Sequence, residues 1–421
     1  MHAVTTHPLT IVHVVFSSRI AGAERHALDL AAAQADMGHD VHVVGPWRSA
    51  LPEALVPEVR YHAMATPLLR AVRLQSLLRR LGADICHGHL GPACKAVARC
   101  DGVARLGTLH VGYKPRQHER LDGLICVNAA QVRAVRGFKG EARVIYNWAP
   151  QTRLPAEQST RANAAGAANP GKRVRAEASV LDPRCTSPSS GAQAPQRHSA
   201  QVADLREELG LPPDRLVVIT VARLHPSKGV DILIRAFVDR PAMDAALIIV
   251  GEGKCERQLR RLAAGDPRIH LLGFRSDVDA LLSASDIFVS PSREEAMPLA
   301  VLEAMRAGLP IVATATQGAV ELLSHARASL VPIGEAGALG AAIEAIAATV
   351  RQASTALMRI SGGVPSSGSL RQRHRMRYDL TKYERHAAIL QVESFYRSLL
   401  ADAQVGDAEG ASQNAAAHPE C

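Results

Sequence analysis

Short β-rich apolar runs alternate with helix-patterned stretches along this chain, and the alternation runs twice. In the first pass Ile11–Phe16 reads as a strand. Ala27, Leu30 and Ala31 then share one helical face, Gly38 stops that helix, and Val41–Val44 is the next strand. A helix near Leu68–Leu81 follows, with strands near Asp84–His87, Leu106–Val111, Leu124–Val127 and Val144–Tyr146. In the second pass VVITVAR is a strand, and Val230, Leu233, Ile234 and Phe237 form the stripe of the helix after it. ALIIVGEG, IHLLGF, DIFVSPS and LPIVAT are further buried strands. Strand–helix alternation leaves few options: mostly parallel sheets with helices on both faces. The expectation is α/β, two doubly wound Rossmann-like domains in series facing a cleft, with the cleft as the ligand site.

The boundaries follow composition. Residues 1–150 make the first domain and 204–360 the second. Residues 151–203 are rich in Ala, Pro, Ser, Arg and Gly with no apolar period, which predicts a flexible insert or linker. A loose basic loop is expected over 361–378, a helix packing back toward the first domain over 379–400, and a disordered tail over 401–421. The 421 residues suffice for two cores. No apolar run approaches the ~20 residues that cross a bilayer. MHAVTTHPLTIVHVVF lacks a basic start and a cleavage site, so it reads as a first strand rather than an export signal. Seven scattered cysteines then fit reduced thiols and a cytoplasmic location. The net charge of +9 leaves open a phosphorylated substrate, an anionic membrane face or an arginine-rich background. Aromatic residues at 3% make base stacking, and so a nucleic-acid partner, a poor reading.

SREEAMPLAVLEAMRAGLP, residues 292–310, sets two acids in unlike settings. Pro298 suits the first turn of a helix. Glu295 precedes that turn, beside amides that favour anions. Glu303 lies ~7.5 Å along the helix among Val301, Leu302, Ala304 and Met305, where a carboxylate needs strong donors. Sugar hydroxyls would serve; so would an arginine in a structural bridge, with Glu295 merely a cap. VARLHPSKG places Arg223 and Lys228 on a strand-to-helix loop, where two fixed cations suit a diphosphate. Other signals are weaker. Asp277–Asp279 reads as a helix start rather than a metal pair. Cys86, His87, His89, Cys94 and Cys100 fit no common zinc spacing. GEGKC is no P-loop, and no G-x-G-x-x-G opens the first helix. No metal site and no cofactor are expected.

HPSKGVDILIRAF, IIVGEGKCERQLRRL, HLLGFRSDVDALLSASDIFVSPS and EEAMPLAVLEAMRAGLPIVAT, in this order, resemble the retaining, nucleotide-sugar-dependent glycosyltransferases of family 4, with the GT-B fold. The spacing of Glu295 and Glu303 is similar to that family's paired-glutamate signature. The resemblance implies that Arg223 and Lys228 clamp the donor diphosphate, Glu303 holds the ribose and Glu295 the transferred sugar. It also implies backbone contacts near Met297 and Leu299, and a base pocket at Gly251, Gly253, Phe274 and Arg275. SSRIAGAERHALDLA resembles the family's glycine loop, with Ala21 in place of its first glycine and Gly22 retained. LGTLHVGY points to His110 as the active-site histidine. ADICHGHL points to His87 or His89 on the acceptor side, with His89 preferred, and VIYNWAP points to Asn147. The implied activity moves a sugar from a nucleotide-diphosphate donor to a hydroxyl acceptor with retention. Its setting is lipopolysaccharide or other cell-surface polysaccharide assembly. A lipid-linked or lipopolysaccharide acceptor at the inner face of a membrane is the expected partner. The rival readings are a sugar-nucleotide epimerase of the same fold and a degenerate nucleotide- or membrane-binding protein.

Overall fold

The computed structural model describes residues 7–64, 69–149, 206–212, 214–361 and 375–416, with side chains described outside 353–361 and 403–416. The expected linker at 151–203, most of the 361–378 loop and the last residues of the 401–421 tail lie outside the described residues.

The first domain runs β1 (Thr10–Val15), α1 (Gly22–Asp36), β2 (Asp40–Pro46), β3 (Arg60–Met64), α2 (Arg70–Leu81), β4 (Ile85–His89) and α3 (Gly91–Val97). It continues through β5 (Ala104–Leu109), α4 (Pro115–His118), β6 (Gly123–Cys126), α5 (Ala129–Ala134) and β7 (Glu141–Val144). The second runs β8 (Leu216–Val221), α6 (Val230–Val238), β9 (Ala245–Val250), α7 (Glu256–Ala263), β10 (Ile269–Gly273), α8 (Val278–Ala284), β11 (Ile287–Ser290) and α9 (Leu299–Arg306). It closes with β12 (Ile311–Thr314), α10 (Gln317–Leu323), β13 (Ser329–Val331) and α11 (Ala336–Ser361). Every strand pair is parallel. The strand orders are β3-β2-β1-β4-β5-β6-β7 and β10-β9-β8-β11-β12-β13. Each sheet therefore reverses direction beside its first strand, between β1 and β4 and between β8 and β11. Doubly wound sheets bind ligands outside the carboxyl ends of the strands at such points.

A final helix, α12 (Arg385–Ala416), begins later than the Leu380 start its pattern allows. Thr381–Tyr383 forms a separate 3₁₀ turn, and the Glu384 carboxylate accepts from the Ala387 N–H at 2.7 Å. That carboxylate satisfies an amide the helix start would leave open. Ile389, Val392, Phe395 and Tyr396 of α12 bury against Ile11, Leu30, Ile125 and Trp148 of the first domain. Full burial of each large side chain contributes roughly 1.5–3 kcal/mol, so the last helix is part of the first domain's core.

The domains also meet directly. The Asn128 Nδ2 donates to the Ala296 carbonyl at 2.6 Å, while its Oδ1 caps α5 through the Gln131 N–H at 2.8 Å. Glu321 of α10 accepts from the Ala129 N–H at 2.9 Å and the Tyr146 hydroxyl at 2.8 Å. A carboxylate from one domain thus sits on the helix start of the other, where the amides favour it.

Candidate active site

Each side of the interdomain cleft is built from the ends of strands. On the second domain, β8 releases the chain at Val221, and Arg223 and Lys228 stand on the loop before α6. Gly229 makes that loop's exit possible. Its φ is +63°, and a Cβ there would lie 1.9 Å from the Pro291 carbonyl oxygen, so only glycine fits. A second tie holds the loop to the β11–α9 connection: Arg293 donates to Asp231 at 2.7 and 2.8 Å, and the Arg293 N–H to the Ser227 carbonyl at 2.8 Å. The Arg293 guanidinium holds the Asp231 carboxyl below its ordinary value.

These ties set the charged groups. The Lys228 ammonium donates to Glu295 Oε1 at 2.6 Å, and the Ser292 hydroxyl donates to the same oxygen at 2.9 Å. Arg223 has no ion-pair partner among the described residues. Pro298 takes the N-cap of α9 rather than its first turn, with ψ 101°, and the helix starts at Leu299. Helices leave their first amides without acceptors, here those of Leu299 and Ala300, and these face anions well.

The first domain supplies the opposite wall. Gly22 opens α1 so close to α9 that an added Cβ would lie 3.2 Å from Leu299 Cδ1. The Glu24 carboxylate accepts from the Ala21 N–H at 3.0 Å. Ala21 has no oxygen to return the bond, so only half of a capping box forms. His110 follows β5. Asn147 is 4% exposed, and its Oδ1 has no hydrogen-bond partner. A buried amide oxygen left open costs about 1–3 kcal/mol, which a hydroxyl-bearing ligand would recover.

A cavity of about 570 Å³ joins the two walls. Gly22, His110, Asn147, Arg223, Lys228, Glu295, Met297 and Leu299 all line it. The remaining expected residues lie elsewhere. His89 is fully buried behind His110, with its Nδ1 3.3 Å from His110 Nε2. Gly251 and Phe274–Arg275 sit at the ends of β9 and β10. Gly251 is pressed to the Ala222 carbonyl, Phe274 is exposed, and Arg275 donates to Asp277 and Glu208. Glu303 is 8% exposed and points to Arg25 of α1, its nearest nitrogen 3.7 Å away. Burial raises its carboxyl above the ordinary value, with Arg25 pulling the other way. The arginine bridge that the sequence left open therefore exists, and it spans the two domains. The sequence reading missed Glu24, Ser292 and Gln131 in the cavity wall. An acid three residues into a helix was a legible cap signal for the first; the others carry no distinctive spacing.

Two parallel-sheet domains whose switch points share one cationic cleft define the GT-B class. The Glycosyltransferase Family 4 profile matches residues 20–152 and the Glycosyl transferases group 1 profile matches 215–349, covering both domains. The chain belongs to the family 4 glycosyltransferases and is a glycosyltransferase of GT-B fold. It is 26% identical over 341 residues, 75% of this chain and 81% of the relative, to an Escherichia coli UDP-Gal:alpha-D-GlcNAc-diphosphoundecaprenol alpha-1,3-galactosyltransferase. It is 32% identical over 151 residues, 35% of this chain and 44% of the relative, to the lipopolysaccharide core biosynthesis glycosyltransferase LpsE of Rhizobium meliloti. Among solved structures, Anabaena HepE in complex with UDP and glucose superposes with a TM-score of 0.64 at 20% identity. That match covers 93% of this chain and 100% of HepE. Among the described residues no helix is long and apolar enough to cross a membrane.

Proposed function

We propose that the chain transfers a sugar from a nucleotide-diphosphate donor to a hydroxyl of a lipid-linked or lipopolysaccharide acceptor, with retention. One observation carries this reading: Arg223, Lys228, Glu295 and the start of α9 converge on a single interdomain cavity. The relatives named for galactosyl transfer to a diphosphoundecaprenol and for lipopolysaccharide core assembly support the setting.

The departing diphosphate gains charge as its bond to the anomeric carbon breaks. Arg223, Lys228 and the amides of Leu299 and Ala300 stabilise that charge in place, without solvent rearrangement. An ammonium has three protons, so Lys228 holds a phosphate oxygen and keeps Glu295 in position. Glu295 then accepts from the transferred sugar with its remaining lone pairs. The ribose hydroxyls take over Glu303 from Arg25, and the base extends toward Gly251, Phe274 and Arg275 at the ends of β9 and β10. The acceptor oxygen forms its bond on the face the diphosphate leaves, and its proton passes to a leaving phosphate oxygen. Double displacement needs a free carboxylate across the ring; Glu295, the nearest candidate, is engaged by Lys228 and Ser292. His110 positions the sugar and Asn147 Oδ1 takes an acceptor-side hydroxyl.

Exposed apolar and basic residues of the first domain suit an anionic membrane. Trp47 is 60% exposed with Arg48 over its ring, and α2 carries Val72, 64% exposed, together with Arg73, Arg79 and Arg80. Co-sedimentation with anionic vesicles tests it: binding that falls with salt supports this surface, and no binding at low salt removes it. The activity itself is tested with a panel of nucleotide sugars and undecaprenyl-diphosphate-linked acceptors, reading product mass and nucleoside diphosphate release. Acceptor-dependent product is expected. Conversion of the donor alone, or binding without turnover, overturns the proposal in favour of an epimerase or an inactive binder.

A further inference from the structure

Four buried histidines, His13, His26, His87 and His89, gather behind His110 of the cleft wall, and three of them, His13, His87 and His89, have ring nitrogens within 4.8 Å of one another. This is metal-ligand spacing, yet all six nitrogens are already bonded within the protein. His87 meets the Tyr396 hydroxyl at 2.7 Å and the Thr108 hydroxyl at 2.7 Å. His13 meets Gln34 at 2.7 Å and His89 at 3.0 Å, and His89 meets His110 at 3.3 Å. The set is a hydrogen-bonded wire rather than a vacant ligand cage.

The wire has a direction. At its buried end the Gln34 Nε2 donates to Glu393 Oε1 of α12 at 2.8 Å. A carboxylate only accepts, so the amide nitrogen of Gln34 must face it and the amide oxygen must face His13. His13 then carries its proton on Nε2 and presents a bare Nδ1 to His89. His89 carries its proton on Nε2 and presents a bare Nδ1 to His110. The proton of His110 is thereby placed on Nε2, and its Nδ1 is left as an acceptor. Burial keeps the rings neutral, which the logic requires: His13 falls to about 4, His110 to about 3 and His89 well below its ordinary value.

We propose that Glu393, acting through Gln34, His13 and His89, is the positioning residue that fixes the tautomer of His110, so that its Nδ1 accepts a hydrogen bond from a hydroxyl of the bound sugar. The inference rests on the donor-binding reading of the cleft for the role of His110, but the tautomer itself does not. In the other tautomer His110 would offer a proton to that hydroxyl's position and lose this acceptor. Wrong-tautomer histidines elsewhere lose up to about 10⁴ in turnover, so partial reversal here should lower kcat by about tenfold or more.

Glu393→Gln probes the wire at its far end. Leu9 N–H donates to His39 Nδ1 at 3.0 Å, so the His39 proton sits on Nε2, 3.0 Å from Glu393 Oε2 though out of hydrogen-bond alignment. That N–H draws a glutamine's carbonyl to its side and turns the new NH₂ toward Gln34, which reverses the wire. The experiment records nitrogen–proton correlations of histidine-¹⁵N-labelled protein, with His110 assigned by its loss in His110→Gln. The wild type is expected to show His110 neutral with the proton on Nε2. Glu393→Gln should move that proton wholly or partly to Nδ1 and lower kcat more than it raises donor KM, and Glu393→Asp should restore the wild-type tautomer. A His110 proton on Nδ1 in the wild type overturns the proposal even where the variants fail to fold. An unchanged tautomer in folded Glu393→Gln also overturns it, as does zinc that displaces the His13–His89 bond at stoichiometric amounts. The expected tautomer in a protein that transfers no sugar would sink the proposed function and leave the wire standing.

Discussion

Acid should unfold this protein early, because its first domain buries histidines that cannot accept protons while folded. His13, His26, His87 and His89 are 0–5% exposed, and burial lowers each below its ordinary value of 6.5, to about 4 for His13 and about 3 for His26. A depressed folded value means the unfolded chain binds the proton and the folded chain does not. The stability is therefore present above about pH 6.5 and is lost as pH falls toward the folded values. At pH 5, about 1.5 units below the ordinary value, His13 and His26 each cost about 2 kcal/mol, together about 4 kcal/mol, and His87 and His89 add to this in the same direction. That approaches the ~5–15 kcal/mol that holds an ordinary domain folded. His26 gives the cleanest control. Neither of its nitrogens has a partner, and its ring lies 4.1 Å from that of Trp148. His26→Phe keeps the stacking and removes one latent proton, so the dependence of stability on pH should flatten by about 1.4 kcal/mol per unit between pH 4 and 6. Urea midpoints followed by circular dichroism from pH 7 to 4.5 measure both. Wild-type stability that stays level between pH 7 and 5, or a His26→Phe variant with an unchanged slope, would refute the reasoning.

Lys228→Ala should cut kcat by about 10²–10³ with little change in melting temperature, since it removes a donor to the leaving group; steady-state kinetics and a thermal melt check both. Gly229→Ala should lose at least about 2 kcal/mol, from left-handed backbone strain and the Pro291 contact, and should raise donor KM by displacing Lys228. Glu303 is held above its ordinary carboxyl value, so its contribution is present below that value and lost as pH rises through the folded one. Glu303→Gln should therefore be at least as stable as wild type at pH 7.5 by urea titration, and nevertheless bind donor more weakly by calorimetry.

What the sequence makes legible is local or periodic. Alternation alone requires parallel sheets, because each strand is followed by a helix that must cross back over the sheet, and both sheets are parallel throughout. Arg223, Lys228 and Glu295 could be brought near one another on paper because each stands at the end of a strand, where chain order fixes position. The wire could not. Gln34 and Glu393 are 359 positions apart, and nothing in the pattern of α12 says which buried face it covers. One trace was visible: TIVHVV places a histidine within an otherwise apolar strand, and a buried imidazole needs partners. Glu303 shows the opposite limit. Its buried setting was readable from Val301, Leu302, Ala304 and Met305, but its neighbour Arg25 comes from the other domain, which no local spacing encodes.

The central claim is that the interdomain cleft holds a diphosphate between Arg223, Lys228 and the start of α9. A crystal structure of the protein with a nucleoside diphosphate, screened across UDP, GDP and ADP, locates that group directly. Phosphate oxygens should lie about 3 Å from the Lys228 ammonium, the Arg223 guanidinium and the amide of Leu299 or Ala300. A diphosphate bound away from those groups, with Lys228 still engaged only by Glu295, would contradict the account.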